Sequence, residues 1–62
     1  MNAFTAMERL RILQNGLWAL DKAIDEARRS QDPNSRHALS VIKGEVQAEY
    51  DDIKRKLAEV TL

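Results

Sequence analysis

The residue best suited to acid–base chemistry is His37, which is the single histidine of the 62-residue chain. Ser35 and Ser40 lie close to it along the chain, so a serine activated by the imidazole is the chemistry to consider. However, no carboxylate is placed to orient the ring, and serine and histidine often fall near each other on a helix by chance. We therefore expect His37 to be a solvated surface residue, and we predict no catalytic residues and no enzyme.

Metal and phosphate sites have equally little support. The chain has no cysteine, and one histidine without thiolates cannot complete the tetrahedral shell of a structural zinc site. Glu45, Glu49 and Asp52 have no histidine three residues later, as the di-metal sites of helical bundles require. Gly16 and Gly44 are isolated and form no phosphate-binding loop. We expect no metal, no cofactor and no small-molecule substrate.

Clustered basic residues could contact the phosphates of a nucleic acid. One cluster, near the two chain ends, is a candidate phosphate-contacting site and consists of Arg9, Arg11, Lys54, Arg55 and Lys56; a second, with Arg28, Arg29 and Arg36, flanks the proposed turn. The formal net charge is +0, from ten basic and ten acidic residues, so nucleic acid would have to bind these local patches. The alternative, which we favour, is a solvated face stabilised by helical pairs such as Asp52 with Lys56.

Two helices are predicted to position these side chains. Pro33 is the only proline and lies in the one stretch that is rich in turn and cap formers. Thr5 with Glu8 matches a capping box, and Asn2 is a competing cap, so a first helix is predicted over about 5–29.

Asp32 is a good N-cap, and Pro33 suits the first helical position. They predict a turn at about 30–33 and a second helix over about 33–60. Because so short a link forces the helices to lie antiparallel, the predicted fold class is an all-α helical hairpin, forming one domain over residues 1–62.

Heptad spacing of apolar residues predicts the face that each helix buries. The stripe of the first helix is Ala3, Ala6, Leu10, Leu13, Leu17, Leu20, Ile24 and Ala27, and that of the second is Leu39, Ile42, Val46, Tyr50, Ile53, Leu57 and Val60. In the second stripe, two consecutive steps of four predict a local stutter between Leu39 and Tyr50.

The first helix is apolar over more of its circumference than one partner helix covers. One flank carries Ile12, Gly16, Ala19 and Ala23, and the other carries Phe4, Met7 and Trp18. Gly16 costs about 1 kcal/mol of helix propensity relative to alanine, which calls for a packing reason. Trp18 is the residue we expect to recognise a partner, because tryptophan is enriched at binding hot spots. Packing within a homo-oligomer is an equally open role for Trp18.

Oligomerisation is expected because a single core in a chain this short seldom supplies more than about 3–5 kcal/mol. The simplest closed arrangement is a homodimer of hairpins, a four-helix bundle. The predicted oligomer interface is Leu10, Leu13, Gly16, Leu17, Leu20, Ala23, Ile24, Val46, Ile53 and Leu57. The predicted partner-binding residues are Phe4, Met7, Arg11 and Trp18.

These features predict a small non-enzymatic adaptor or regulatory protein, of phage or plasmid type, that binds another protein as a homo-oligomeric helical hairpin. In architecture alone the dimer resembles small plasmid-encoded hairpin proteins of the Rop type, which bind paired RNA loops. That resemblance implies the first alternative, an RNA-binding regulator using the basic ends. The second alternative is a purely structural oligomerisation element.

The first residues lack the pattern of a secretory signal, and no apolar run is long enough for a membrane span. We therefore expect no membrane association and a cytoplasmic location. Because the chain begins with Met and shows no tag or linker composition, we also expect a complete small gene product.

Overall fold

The computed structural model describes the backbone of residues 2–61 and the side chains of residues 2–59. Two helices, α1 (Ala3–Arg29) and α2 (Pro33–Thr61), pack against each other as an antiparallel hairpin with principal extents of 46 × 14 × 14 Å. The predicted all-α helical hairpin is confirmed, whereas its dimerisation into a four-helix bundle stays a prediction. Within the described residues, neither helix contains an apolar stretch long enough to cross a membrane.

The N-terminus of α1 is capped by Asn2, so the helix begins at Ala3 and not at the predicted Thr5. The Oδ1 of Asn2 accepts a hydrogen bond from the backbone N–H of Thr5 at 2.8 Å. The predicted capping box of Thr5 and Glu8 is wrong, because both residues lie inside the helix. Asparagine caps at least as well as threonine, and the earlier start adds the half-buried Ala3 to the helix.

The turn between the helices is a Schellman motif. The N–H of Asp32 donates to the carbonyl of Ala27 at 2.9 Å, and the N–H of Gln31 donates to the carbonyl of Arg28 at 3.2 Å. This geometry requires a left-handed residue, and Gln31 adopts it with φ of 56° although it is not glycine. The turn therefore stores backbone strain at one position.

Asp32 is the N-cap of α2, as predicted. Its Oδ1 accepts from the N–H of Ser35 at 3.1 Å, and its Oδ2 accepts from the Ser35 hydroxyl at 2.7 Å. The side-chain and backbone hydrogen bonds from Ser35 hold the pKa of Asp32 below its ordinary value of 3.8, because they favour the ionised carboxylate. Pro33 then occupies the first helical position, where its missing N–H has no intrahelical partner to lose.

The core is a thin seam between the helices. Its most buried described side chains are Ala6, Leu13 and Ile53, and Ala27 is buried beside the turn. Half-buried residues pack around the first three: Leu10, Val46, Tyr50 and Leu57. All eight residues of the predicted α1 stripe are buried or half-buried, so that prediction is confirmed.

The predicted stripe of α2 is wrong at one position. Ile42 is 45% exposed, whereas the next residue, Lys43, is half-buried and forms an ion pair with Asp21 of α1. With Lys43 in place of Ile42, the seam from Leu39 to Leu57 follows regular heptad spacing, so the predicted stutter is absent there. A lysine fits this position because its aliphatic stem packs while its ammonium group reaches the rim. The side chain of Val60, also predicted in this stripe, lies outside the described residues.

Candidate interaction faces

Two ion pairs between the helices mark the two sides of the hairpin. On one side, Nη2 of Arg9 lies 2.8 Å from Oε1 of Glu49. On the other side, Lys43 pairs with Asp21. Arg9 precedes the seam residue Leu10, whereas Asp21 follows the seam residue Leu20, so the two pairs lie on opposite edges of the seam.

The side marked by Asp21 carries what we call the Trp18 face, which consists of Phe4, Met7, Arg11 and Trp18. Phe4, Arg11 and Trp18 are spaced seven residues apart and form one row along α1. Phe4 is 71% exposed, Met7 60% and Trp18 63%. All four predicted partner-binding residues are thus exposed on one flank of α1. Their role in binding a partner stays a prediction.

Basic groups accompany the aromatic rings of this face. The ammonium nitrogen of Lys22 lies 4.5 Å from the centroid of the Trp18 ring, which is a cation–π contact. The guanidinium of Arg11 is exposed, and its Nη2 lies 3.9 Å from Oε1 of Glu8. Lys22 was not among the predicted partner-binding residues, although its position four residues after Trp18 is the usual signal for a contact on a helix surface.

The side marked by Arg9 carries what we call the Gly16 face, which consists of Ile12, Gly16, Ala19 and Ala23 of α1 with Ile42 of α2. Gly16 lies one heptad after Arg9, and Ile42 lies one heptad before Glu49. Because Arg9 and Glu49 are bonded, Gly16 and Ile42 fall on the same side and at about the same level.

The Gly16 face is open in the hairpin. Ile12 is 59% exposed, and a Cβ added at Gly16 would meet nothing within 4 Å. The hairpin itself therefore supplies no packing reason for glycine at this position. Gly44 has the same open surroundings.

Most of the predicted oligomer interface lies on the seam of one hairpin. Leu13 and Ile53 are only 7% and 6% exposed, which leaves a second copy little of either to bury. Six more residues on the seam are half-buried: Leu10, Leu17, Leu20, Ile24, Val46 and Leu57. Gly16 and Ala23 are also half-buried but belong to the Gly16 face. The interface itself stays a prediction.

The candidate nucleic-acid residues are mostly engaged by nearby groups. Besides the contacts of Arg9 and Arg11, Asp52 accepts from Nη2 of Arg55 at 2.6 Å and lies 3.0 Å from Nζ of Lys56. The hydrogen bond from Lys56 holds the pKa of Asp52 below its ordinary value, and the charges of Lys56 and Arg55 add to that shift. The ammonium of Lys54 lies 6.0 Å from the centroid of the Tyr50 ring. Lys54, Arg55 and Lys56 are consecutive and thus point in different directions around α2.

The chemistry considered for His37 has no geometric support within the described residues. His37 is exposed, the Ser35 hydroxyl donates to Asp32, and the Ser40 hydroxyl donates to the carbonyl of Arg36 at 2.8 Å. The side chains described also include no group of three or more potential ligands that could hold a metal ion.

Comparison of the chain with protein-family models, with curated proteins and with solved structures finds no match.

Proposed function

We propose that this chain is a small non-enzymatic adaptor or regulatory protein, which self-associates as a helical hairpin and binds another protein through the Trp18 face. The observation that carries the proposal is the exposed row of Phe4, Met7 and Trp18 on a single flank of α1. Single exposed apolar residues are normal on a protein surface. Here three large apolar side chains share one flank of a single helix, with the exposed Arg11 between Met7 and Trp18, and this clustering supports an interaction site.

Burying the side chains of this face against a partner would contribute a binding free energy that is large for so small a protein. Fully burying a side chain the size of phenylalanine or methionine contributes about 1.5–3 kcal/mol. Trp18 is presented on a rigid helix, so its side chain would lose little conformational entropy when a partner binds. These features are typical of the few anchor residues that dominate a protein interface.

The chemistry of the face indicates an amphipathic helix as its partner. The three apolar side chains span about 21 Å along α1, which matches about four turns of a second helix. Arg11 and Lys22 lie beside the apolar side chains, so a carboxylate on the partner would form charge-assisted hydrogen bonds at the rim. We therefore expect the partner segment to combine aliphatic residues with at least one acidic residue.

Self-association is supported by the surface that the hairpin leaves exposed. Its accessible surface is 4874 Å², whereas a compact monomer of 7.1 kDa exposes about 4100 Å². The excess of about 800 Å² is the area that each partner buries in a standard protein interface. The elongated hairpin therefore has surface to cover before it reaches the compactness of a typical folded protein.

Site-specific photocrosslinking in cells that express the protein tests the proposed partner face. A benzoyl-phenylalanine at position 4 replaces one aromatic residue by another, and the same group at the exposed Ala48, on the outward surface of α2, is the matched control. We expect a crosslinked protein from position 4 that is absent from position 48 and is lost with Trp18→Ala. No crosslinked protein from position 4, or equal yields from both positions, would contradict the proposal.

A further inference from the structure

The proposed self-association leaves open which face meets the second copy and in which direction. We infer that two copies pack through their Gly16 faces with the α1 helices antiparallel, and that the twofold axis passes between Gly16 and Ala19. The inference rests on the proposed self-association and adds the face and the register.

The first helix, α1, carries a second heptad row, separate from the seam that packs on α2. Its members alternate in steps of four and three, as the contact positions of a coiled coil do. They are Thr5, Arg9, Ile12, Gly16, Ala19, Ala23, Glu26 and Ser30.

This row is complementary to itself when it is reversed. In the antiparallel register, Gly16 meets Ala19 of the partner subunit, and Ile12 meets Ala23 of the partner subunit. The large residue thus faces a small one, and the smallest residues lie at the axis, where the backbones approach most closely. Thr5 meets Ser30 of the partner subunit at each end, so two small polar side chains close the row.

Charge selects the antiparallel direction. Reversal places Arg9 opposite Glu26 of the partner subunit, and it does so twice because of the symmetry. A parallel dimer would instead set Arg9 against its own copy and Glu26 against its own copy, which costs free energy because like charges repel.

Both charged groups have free capacity. Arg9 uses Nε and Nη2 on a single oxygen of Glu49, so its remaining N–H groups can reach a second carboxylate. Glu26 is exposed, and among the described residues its carboxylate contacts only the guanidinium of Arg29 at 3.9 Å, which is longer than a hydrogen bond.

The opposite flank fits a second copy less well. Between Ile12 and Ala23 the Gly16 row is uncharged over about 16 Å. The row through the Trp18 face is interrupted by Arg11, Gln14 and Asp21, and its bulky Trp18 holds a neighbouring helix further away. Ile42 adds to the Gly16 face from α2 at the level of Gly16, so the partner's α1 would cover apolar surface on both helices.

Cysteine crosslinking reads the face and the register directly, because the natural chain contains no cysteine. Ile12→Cys chains are mixed with Ala23→Cys chains and oxidised, and the mixed disulfide is identified by mass. The matched control is a mixture of Gln14→Cys and Asp25→Cys chains, which has the same spacing on the opposite flank. We expect the mixed disulfide for positions 12 and 23 and none for positions 14 and 25.

Variants with a single cysteine test whether the two α1 helices are antiparallel. In the antiparallel dimer the two copies of position 12 lie about 16 Å apart. Since a disulfide joins Cα atoms within about 7 Å, Ile12→Cys alone should not crosslink. A disulfide from Ile12→Cys alone, or from positions 14 and 25, would overturn the inference.

Sedimentation of the unmodified chain separates the two proposals. A dimer that gives no disulfide between positions 12 and 23 would overturn this inference and leave self-association standing. A chain that stays monomeric at millimolar concentration would overturn both.

A pair of glycine variants gives a second readout that does not depend on oxidation. Gly16→Leu and Gly44→Leu both enter open space within one hairpin and both raise helix propensity. We expect Gly16→Leu to weaken self-association by about tenfold, because it overfills the closest contact, and Gly44→Leu to leave it unchanged. Equal effects of the two variants would overturn the inference.

Discussion

Lys43 of α2 pairs with Asp21 of α1, while the neighbouring Ile42 is turned outward on the opposite side of the hairpin. The seam residues Leu39, Val46 and Tyr50 hold α2 in regular heptad register, and the ion pair gives the lysine in that seam a partner for its charge. The same register places an isoleucine on the face that we assign to a second copy.

The pair of Lys43 with Asp21 can be tested by reversing one charge. Asp21→Lys should lower the free energy of unfolding by about 1 kcal/mol at low salt, because it replaces an attraction by a repulsion at the rim of the seam. Asp25→Lys makes the same change of charge without this contact and serves as the control. Denaturant unfolding in low and high salt measures both variants, and a loss for Asp21→Lys that salt does not reduce would contradict the electrostatic explanation.

The strained turn predicts a stabilising substitution. The left-handed conformation costs a non-glycine residue about 1 kcal/mol, and glycine avoids that cost, so Gln31→Gly should raise the stability of the hairpin. A gain of about 1 kcal/mol corresponds to about 4–8 °C in the thermal midpoint of a domain this small.

Ser30→Gly is the control for Gln31→Gly. Ser30 has an ordinary φ of −82°, and its hydroxyl donates to the carbonyl of Glu26 at 3.0 Å. It should therefore lower the thermal midpoint, and a similar rise for both variants would show that the turn holds no special strain at Gln31.

Acid should weaken the start of α2. The pKa of Asp32 is lower in the folded chain than its ordinary value of 3.8, so its stabilising effect is fully present above that pH. The effect is lost as the pH falls through the lowered folded value, because the protonated carboxyl accepts the bonds from Ser35 less well. Thermal unfolding between pH 6 and about pH 2, followed by circular dichroism, measures this loss.

Asp32→Asn isolates this contribution because asparagine also caps helices but carries no charge to titrate. The variant should lose less stability on acidification than the natural chain. Equal losses in the two proteins would assign the acid sensitivity to other carboxylates, such as Asp52.

How much the sequence predicts depends on whether a feature is local. The turn, the Asp32 cap and the heptad seam of α1 follow from short-range patterns, and the structure has them. The cap of α1 required a choice between Asn2 and Thr5, which differ little in capping strength. The apolar pattern of α2 favoured Ile42 over Lys43 for the seam, because the partner that accepts the charge of Lys43, Asp21, lies on the other helix.

The two candidate faces also differ in whether short-range sequence patterns predict them. The exposed row of Phe4, Met7 and Trp18 follows from helical spacing once the seam of α1 is known. That Arg9 is bonded to Glu49, which aligns Gly16 with Ile42, required the three-dimensional register of the two helices.

Nucleic acid binding is the alternative to the proposed function that a binding measurement in solution can exclude. Because carboxylates lie within 4.0 Å of Arg9, Arg55 and Lys56, we expect no binding to hairpin RNA at physiological salt. Fluorescence anisotropy with a labelled RNA hairpin over a salt series measures this. Tight binding whose affinity falls steeply with salt and is reduced by Lys54→Ala would support a phosphate-binding role instead.

The central claim is that the two flanks of α1 have different partners, and Trp18 reports on it because it is the only tryptophan in the chain. The measurement is its emission and its quenching by acrylamide over a dilution series, with the monomer–dimer equilibrium followed in parallel by sedimentation. Our account predicts that Trp18 stays solvated, with unchanged emission and quenching, while the dimer forms. A shift of the emission to shorter wavelength together with protection from acrylamide on dimerisation would place Trp18 in the homodimer and contradict the account.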